Sequence, residues 1–88
     1  MLRNDEHPVA WAMLMYELED AHEHLGLLID QMRAEGAIDE PDFGVQLGHV
    51  FAHLNRAWHG RGDTRLDSVP DELHDERSGF PDDLAPVG

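Results

Sequence analysis

Seven apolar residues recur at alternating spacings of three and four along the first part of this chain of 88 residues. They are Trp11, Leu14, Leu18, Ala21, Leu25, Leu28 and Met32. This spacing places all seven on one stripe of an α-helix. Pro8 suits a first helical turn, Asn4 or Asp5 can cap it, and Gly36 is a common helix end. We predict one helix over residues 8–35, about 42 Å long.

A second helix start follows directly in the sequence Asp39-Glu40-Pro41-Asp42, which combines acidic residues with a proline. Phe43, Leu47, Val50, Phe51, Leu54, Ala57 and Trp58 then repeat at helical spacing. Glycines 60 and 62 end the pattern, so we predict a helix over about 41–59. A connection of roughly four residues makes the two helices antiparallel. The predicted fold class is all-α, a long helical hairpin.

Residues 63–88 differ in composition from residues 1–62, because they are acidic and rich in proline. We therefore divide the chain into a helical hairpin and an acidic, partly ordered tail. Ser68, Pro70 and Gly79 bracket a short third helix near 69–77. Four apolar side chains are expected to dock it, namely Leu66, Val69, Leu73 and Phe80.

The predicted hairpin is too small to be stable alone, and residues 8–16 extend beyond the second helix with much apolar surface. A homodimer that forms a four-helix bundle meets both needs. The expected contact residues are Trp11, Leu14, Leu18, Leu25, Leu28, Leu47, Val50, Phe51, Leu54 and Trp58.

The charge of the chain excludes one class of function. Nineteen acidic residues against six arginines and no lysine give a net charge of -13, which repels a phosphate backbone. We expect no nucleic acid as a partner and favour a basic protein. The apolar run from Val9 to Tyr16 is too short for a membrane span. Without cysteine there is no disulfide framework, so a cytoplasmic location is expected.

The stretch from Glu17 to Gly26 contains four carboxylates and two imidazoles. In an antiparallel hairpin, Glu17, Asp20 and His24 face His49 and His53, with Gln46 nearby. These five residues are the candidate metal ligands, and an imidazole-rich set suits Zn, Ni or Cu. The alternative is a solvated acidic helix face, which any short acidic protein can show.

Other chemistry finds little support in the sequence. Glu19 and His22 have the Glu-x-x-His spacing of di-iron bundles, but the second helix has no acidic residue after Asp42 to complete such a site. We expect His22 to be half-buried beside the apolar stripe. Glu17 or Glu23 is the candidate base if a metal holds water. There is no cysteine nucleophile or phosphate loop, so an enzyme is not the favoured interpretation.

These features predict a small interaction or regulatory module that acts through self-association. The alternative is a divalent-metal-binding protein with a histidine-rich site between its two helices. The residues resemble no known family.

Overall fold

The protein folds as a helical hairpin, as the sequence predicts. The computed structural model describes residues 1–62 and 76–88, and the regular secondary structure in these ranges is helical. Helix α1 spans Pro8–Glu35 and helix α2 spans Glu40–His59. Four residues connect them, so the helices pack antiparallel over much of the length of α2. Within the described ranges, neither helix combines the length and the apolar character needed to cross a bilayer.

The turn between the helices is built from two local signals. Gly36 ends α1 in the left-handed conformation with φ 66°, and its N–H donates to the carbonyl of Met32. Asp39 begins α2, and its side chain accepts a hydrogen bond of 2.9 Å from the N–H of Asp42. Both contacts satisfy backbone groups that a helix end leaves unpaired. Because Asp39 is the cap, α2 begins at Glu40, one residue before the predicted start.

The start of α1 differs from the prediction. His7, rather than Asn4 or Asp5, occupies the cap position, and its own side chain makes no capping hydrogen bond. The physical reason is that Pro8 takes the first helical position, so its neighbour His7 is the cap residue and Asn4 and Asp5 lie before the helix. The Asp5 carboxylate is held instead by the Arg3 guanidinium at 2.8 and 2.9 Å. Pro8 does occupy the first turn, as predicted.

The core between the helices is small. Among the described residues, the buried apolar side chains of the helices are Ala21 and Leu28 of α1 and Val50 and Ala57 of α2. The remaining residues of both predicted stripes are partly or largely exposed. Trp11 and Leu14, near the start of α1, line a cleft of about 220 Å³ with Met1, Arg61 and other residues.

The C-terminal segment 76–88 packs along the second half of α2. Asn55 donates to the carbonyl of Ser78 at 3.0 Å, and the Trp58 indole N–H donates to the Asp83 carboxylate at 2.7 Å. Phe80 stacks on Phe51 with ring centroids 6.0 Å apart. Phe80 thus contacts α2. Its expected role in docking the helix near 69–77 is not tested, because Leu66, Val69, Leu73 and most of that predicted helix lie outside the described residues.

Two glycine substitutions should change stability in opposite directions. Gly36→Ala should lower the free energy of unfolding by about 1–2 kcal/mol, because a side chain disfavours the left-handed conformation. Gly48→Ala should raise it by about 0.5–1 kcal/mol, because Gly48 is inside α2 and a Cβ there meets no atom within 4 Å. Urea denaturation followed by circular dichroism measures both, and equal effects would contradict this account of the turn.

Candidate functional site

Three imidazoles from the two helices meet at one edge of the hairpin. His24 comes from α1, and His49 and His53 come from successive turns of α2. The His24 ring centroid lies 4.1 Å from that of His49 and 5.4 Å from that of His53. His49 and His53 are 4.9 Å apart. We refer to these three residues as the histidine cluster.

The geometry of the histidine cluster is close to that of a metal site. One ring nitrogen from each residue can be chosen so that all three lie within 4.8 Å of one another. Ligand nitrogens around a tetrahedral zinc ion are about 3.3 Å apart. The rings are stacked, with interplanar angles of 13° to 30°, so they now meet face to face. Side-chain rotations that move the nitrogens by about 1 Å would turn the ring edges toward a shared ion.

Glu17 orients the most buried member of the cluster. Its carboxylate lies 2.8 Å from Nδ1 of His53 and accepts hydrogen bonds of 3.2 and 3.3 Å from Nε of Arg56. Arg56 also places Nη2 at 3.0 Å from the same His53 Nδ1. A single ring nitrogen cannot donate to Glu17 and accept from Arg56 together. The shorter contact is with the carboxylate, which favours the tautomer that carries its proton on Nδ1.

This assignment leaves the second nitrogen of His53 with a free lone pair. Nε2 is buried and has no hydrogen-bond partner among residues 1–62 and 76–88, and His53 as a whole is only 8 % exposed. An unsatisfied buried polar atom costs about 1–3 kcal/mol. A carboxylate on one imidazole nitrogen and a metal on the other is a common arrangement, in which the carboxylate fixes the tautomer. The surroundings of His53 therefore match those of a histidine that could serve as a metal ligand.

The more exposed side of the cluster has a different electrostatic environment. The pKa of His49 is lowered by desolvation and, to a lesser extent, by the nearby His24, His53 and Arg56, while Asp20 acts in the opposite direction. Asp20 is exposed and lies outside the histidine cluster. The lowered pKa favours the neutral imidazole, which is the form that binds metal.

The five residues singled out by the sequence thus take three positions. His24, His49 and His53 come together, Glu17 bonds to His53 from the side, and Asp20 remains in solvent near His49. Sequence reasoning missed Arg56, although its place three residues after His53 puts it on the same helical face.

Gln46 donates to Gln31 at 2.9 Å and to Asp42 at 3.0 Å. One further expectation for this edge needs correction. His22 is exposed rather than half-buried. The reason is that α2 covers only one side of the apolar stripe, and His22 lies on the other side.

Comparisons with models of protein families, with curated proteins and with solved structures find no match.

Acid should destabilise the fold partly through His49. Because the pKa of His49 is lowered in the folded protein, the unfolded chain binds a proton more readily. The contribution of His49 to stability is complete above the unfolded pKa of about 6.5 and is lost as pH falls from there toward the folded pKa.

Thermal unfolding at several pH values tests this linkage. His49→Gln should flatten the fall in stability between about pH 7.5 and 5.5, whereas His22→Gln, an exposed histidine outside the cluster, provides the matched control. The same pH dependence in His49→Gln and in the wild type would rule the linkage out.

Proposed function

We propose that this protein binds a divalent transition-metal ion through His24, His49 and His53, with Glu17 orienting His53. The observation that carries the proposal is the buried Nε2 of His53, which has no partner and belongs to a cluster of three imidazoles. A proton or a metal ion is the natural partner for that lone pair. The net charge of -13 also favours an approaching cation over an anion.

The ligand types restrict the identity of the ion. Three imidazoles without thiolate suit Zn, Ni or Cu, whereas Mg and Ca prefer oxygen ligands. The di-iron alternative has no support in this arrangement, because His22 is exposed and Glu19 lies outside the histidine cluster. The proposed ion is therefore a single late transition metal.

The surroundings of the cluster leave room for a further ligand. His49 is exposed, so the side of the cluster near Asp20 is open to water. A water molecule or the Asp20 carboxylate would complete the coordination there. Glu17 is already bonded to His53 and Arg56, which makes it an orienting group rather than a free base. We accordingly propose metal binding and assign no reaction.

Isothermal titration of the metal-free, untagged protein with ZnCl₂, NiCl₂ or CuCl₂ tests the proposal. We expect one ion for each chain. His53→Ala should abolish this binding, and Glu17→Gln should weaken it by about 10-fold to 100-fold because the ring loses its orienting partner.

His22→Ala is the matched control, since it removes an exposed imidazole from the same chain and should leave the affinity unchanged. Circular dichroism shows whether each variant keeps its helices. Equal metal affinity of folded His53→Ala and wild-type protein would remove the histidine cluster as the binding site.

A second candidate function is favoured by a separate observation. Large apolar side chains of both helices remain substantially exposed, among them Leu18, Leu25, Leu47, Phe51 and Leu54. Exposed apolar surface of this extent is typical of an interaction site. We propose that the protein is also a cytoplasmic interaction or regulatory module that self-associates through this surface as a homodimer. A short helix near 69–77 and a basic protein partner remain part of this proposal.

A further inference from the structure

Arg56 lies beside the histidine cluster and contacts three different groups through its three guanidinium nitrogens. Nε donates to Glu17, Nη1 donates to the Ser78 hydroxyl at 2.7 Å, and Nη2 lies 3.0 Å from Nδ1 of His53. The Arg56 side chain is only 12 % exposed, so solvent screens its charge less than that of a surface arginine. The guanidinium is therefore placed where it can act on His53.

Glu17 and Arg56 compete for Nδ1 of His53. In one tautomer, Nδ1 carries the proton and donates to Glu17 at 2.8 Å, and Nε2 keeps the lone pair that a metal ion needs. In the other tautomer, Nδ1 accepts a hydrogen bond from Nη2 of Arg56, and the proton on Nε2 blocks a metal ion. Glu17 thus stabilises the tautomer that can bind metal, whereas Arg56 stabilises the tautomer that cannot.

The charge of Arg56 acts in the same direction as its hydrogen bond. Its Nε donates to both carboxylate oxygens of Glu17, at 3.2 and 3.3 Å, which weakens Glu17 as an acceptor for the His53 N–H. A divalent cation on Nε2 would also be repelled by the guanidinium that lies against the other nitrogen of the same ring. Both effects make the bound metal ion less stable.

The C-terminal segment fixes the position of Arg56. Ser78 accepts a hydrogen bond from Nη1 of Arg56, and its carbonyl accepts one from the neighbouring side chain of Asn55 at 3.0 Å. Asn55 is buried, so this second contact is shielded from water. With Nη1 held at Ser78, the opposite edge of the guanidinium stays against Glu17 and His53.

We propose that Arg56 is a positioning residue that restrains metal binding at the histidine cluster, and that the C-terminal segment maintains this restraint through Ser78. The inference rests on the proposed metal site and concerns its regulation. Release of the segment at Ser78 would free the guanidinium to leave Nδ1 of His53, and the affinity for metal would rise.

Isothermal titration of the full-length, metal-free protein with ZnCl₂ tests the proposal. Arg56→Met removes the charge and the competing donor but keeps much of the side-chain volume. We expect it to bind zinc about 10-fold more tightly than the wild type, which is the effect of one hydrogen bond to a charged group. A purely structural role of Arg56 predicts the opposite, because loss of a structural contact weakens a site. Equal or weaker zinc affinity of folded Arg56→Met would overturn the proposal.

Ser78→Ala is the milder variant, because it removes a single acceptor from the C-terminal segment. It should raise the zinc affinity in the same direction but less, by about 2-fold to 5-fold, since Arg56 keeps its charge. If Arg56→Met does not fold, this variant decides, and an affinity no higher than that of the wild type would overturn the proposal.

Arg33→Met is the matched control for charge. Arg33 is exposed in the last turn of α1, and its replacement changes the net charge by the same amount as Arg56→Met. The zinc affinity should remain that of the wild type, because exposed charges more than about 10 Å apart are largely screened at 0.1 M salt. A rise equal to that of Arg56→Met would mean that only net charge matters, and would overturn the proposal.

The ring nitrogens of His53 provide a reading without metal. Their ¹⁵N chemical shifts distinguish a nitrogen that carries a proton from one that does not. At about pH 8, where an ordinary imidazole is neutral, Arg56→Met in EDTA should increase the fraction of His53 with its proton on Nδ1. Identical ring shifts in folded Arg56→Met and wild-type protein would contradict the competition for Nδ1.

The titrations also separate this proposal from the metal site on which it rests. If neither the wild type nor Arg56→Met binds zinc, the metal site itself is wrong. If the wild type binds zinc with an affinity that Arg56→Met does not exceed, the site stands and only the restraint by Arg56 fails.

Discussion

The four-residue connection between the helices sets the register in which α1 and α2 meet, and the contacts between the two helices depend on it. Gly36 reverses the chain in the left-handed conformation, and Asp39 starts α2 with a side-chain hydrogen bond. A connection of four residues is too short to let one helix slide along the other. The register that results brings Glu17 and His24 of α1 level with His53 of α2, although Glu17 and His53 are 36 residues apart in the sequence. A change in the length of this turn would separate them.

Local signals explain why much of the hairpin could be predicted from the sequence. Pro8, Gly36 and the Asp39 cap mark the ends of the helices, and each acts within a few residues of its own position. The meeting of His24 with His49 and His53 followed from the same register. The missed features depend on contacts between elements instead. Arg56 bonds both to Glu17 of α1 and to Ser78 of the C-terminal segment, and His22 is exposed because α2 lies on the other side of the apolar stripe.

The two long sides of the hairpin have contrasting properties. One side gathers imidazoles and a carboxylate whose hydrogen bonds are directional and depend on protonation. The other side presents aliphatic and aromatic groups whose association is insensitive to orientation and to pH. The buried residues Ala21 and Leu28 of α1 and Val50 and Ala57 of α2 lie between these two sides of the hairpin. The core therefore separates the polar side from the apolar side. Variants on one side should therefore leave the other side largely unaffected.

Arg56 joins the histidine cluster to the C-terminal segment. Its guanidinium donates to Glu17 through Nε and to the Ser78 hydroxyl through Nη1 at 2.7 Å. One rigid planar group thus shares its donors between the carboxylate that orients His53 and a segment distant in sequence. Linkage is reciprocal, so any effect of the Ser78 contact on the free energy of the Glu17–His53 contact is matched by an equal effect of the Glu17–His53 contact on the Ser78 contact. Arg56 is thus the physical link between the C-terminal segment and the carboxylate that bonds to His53.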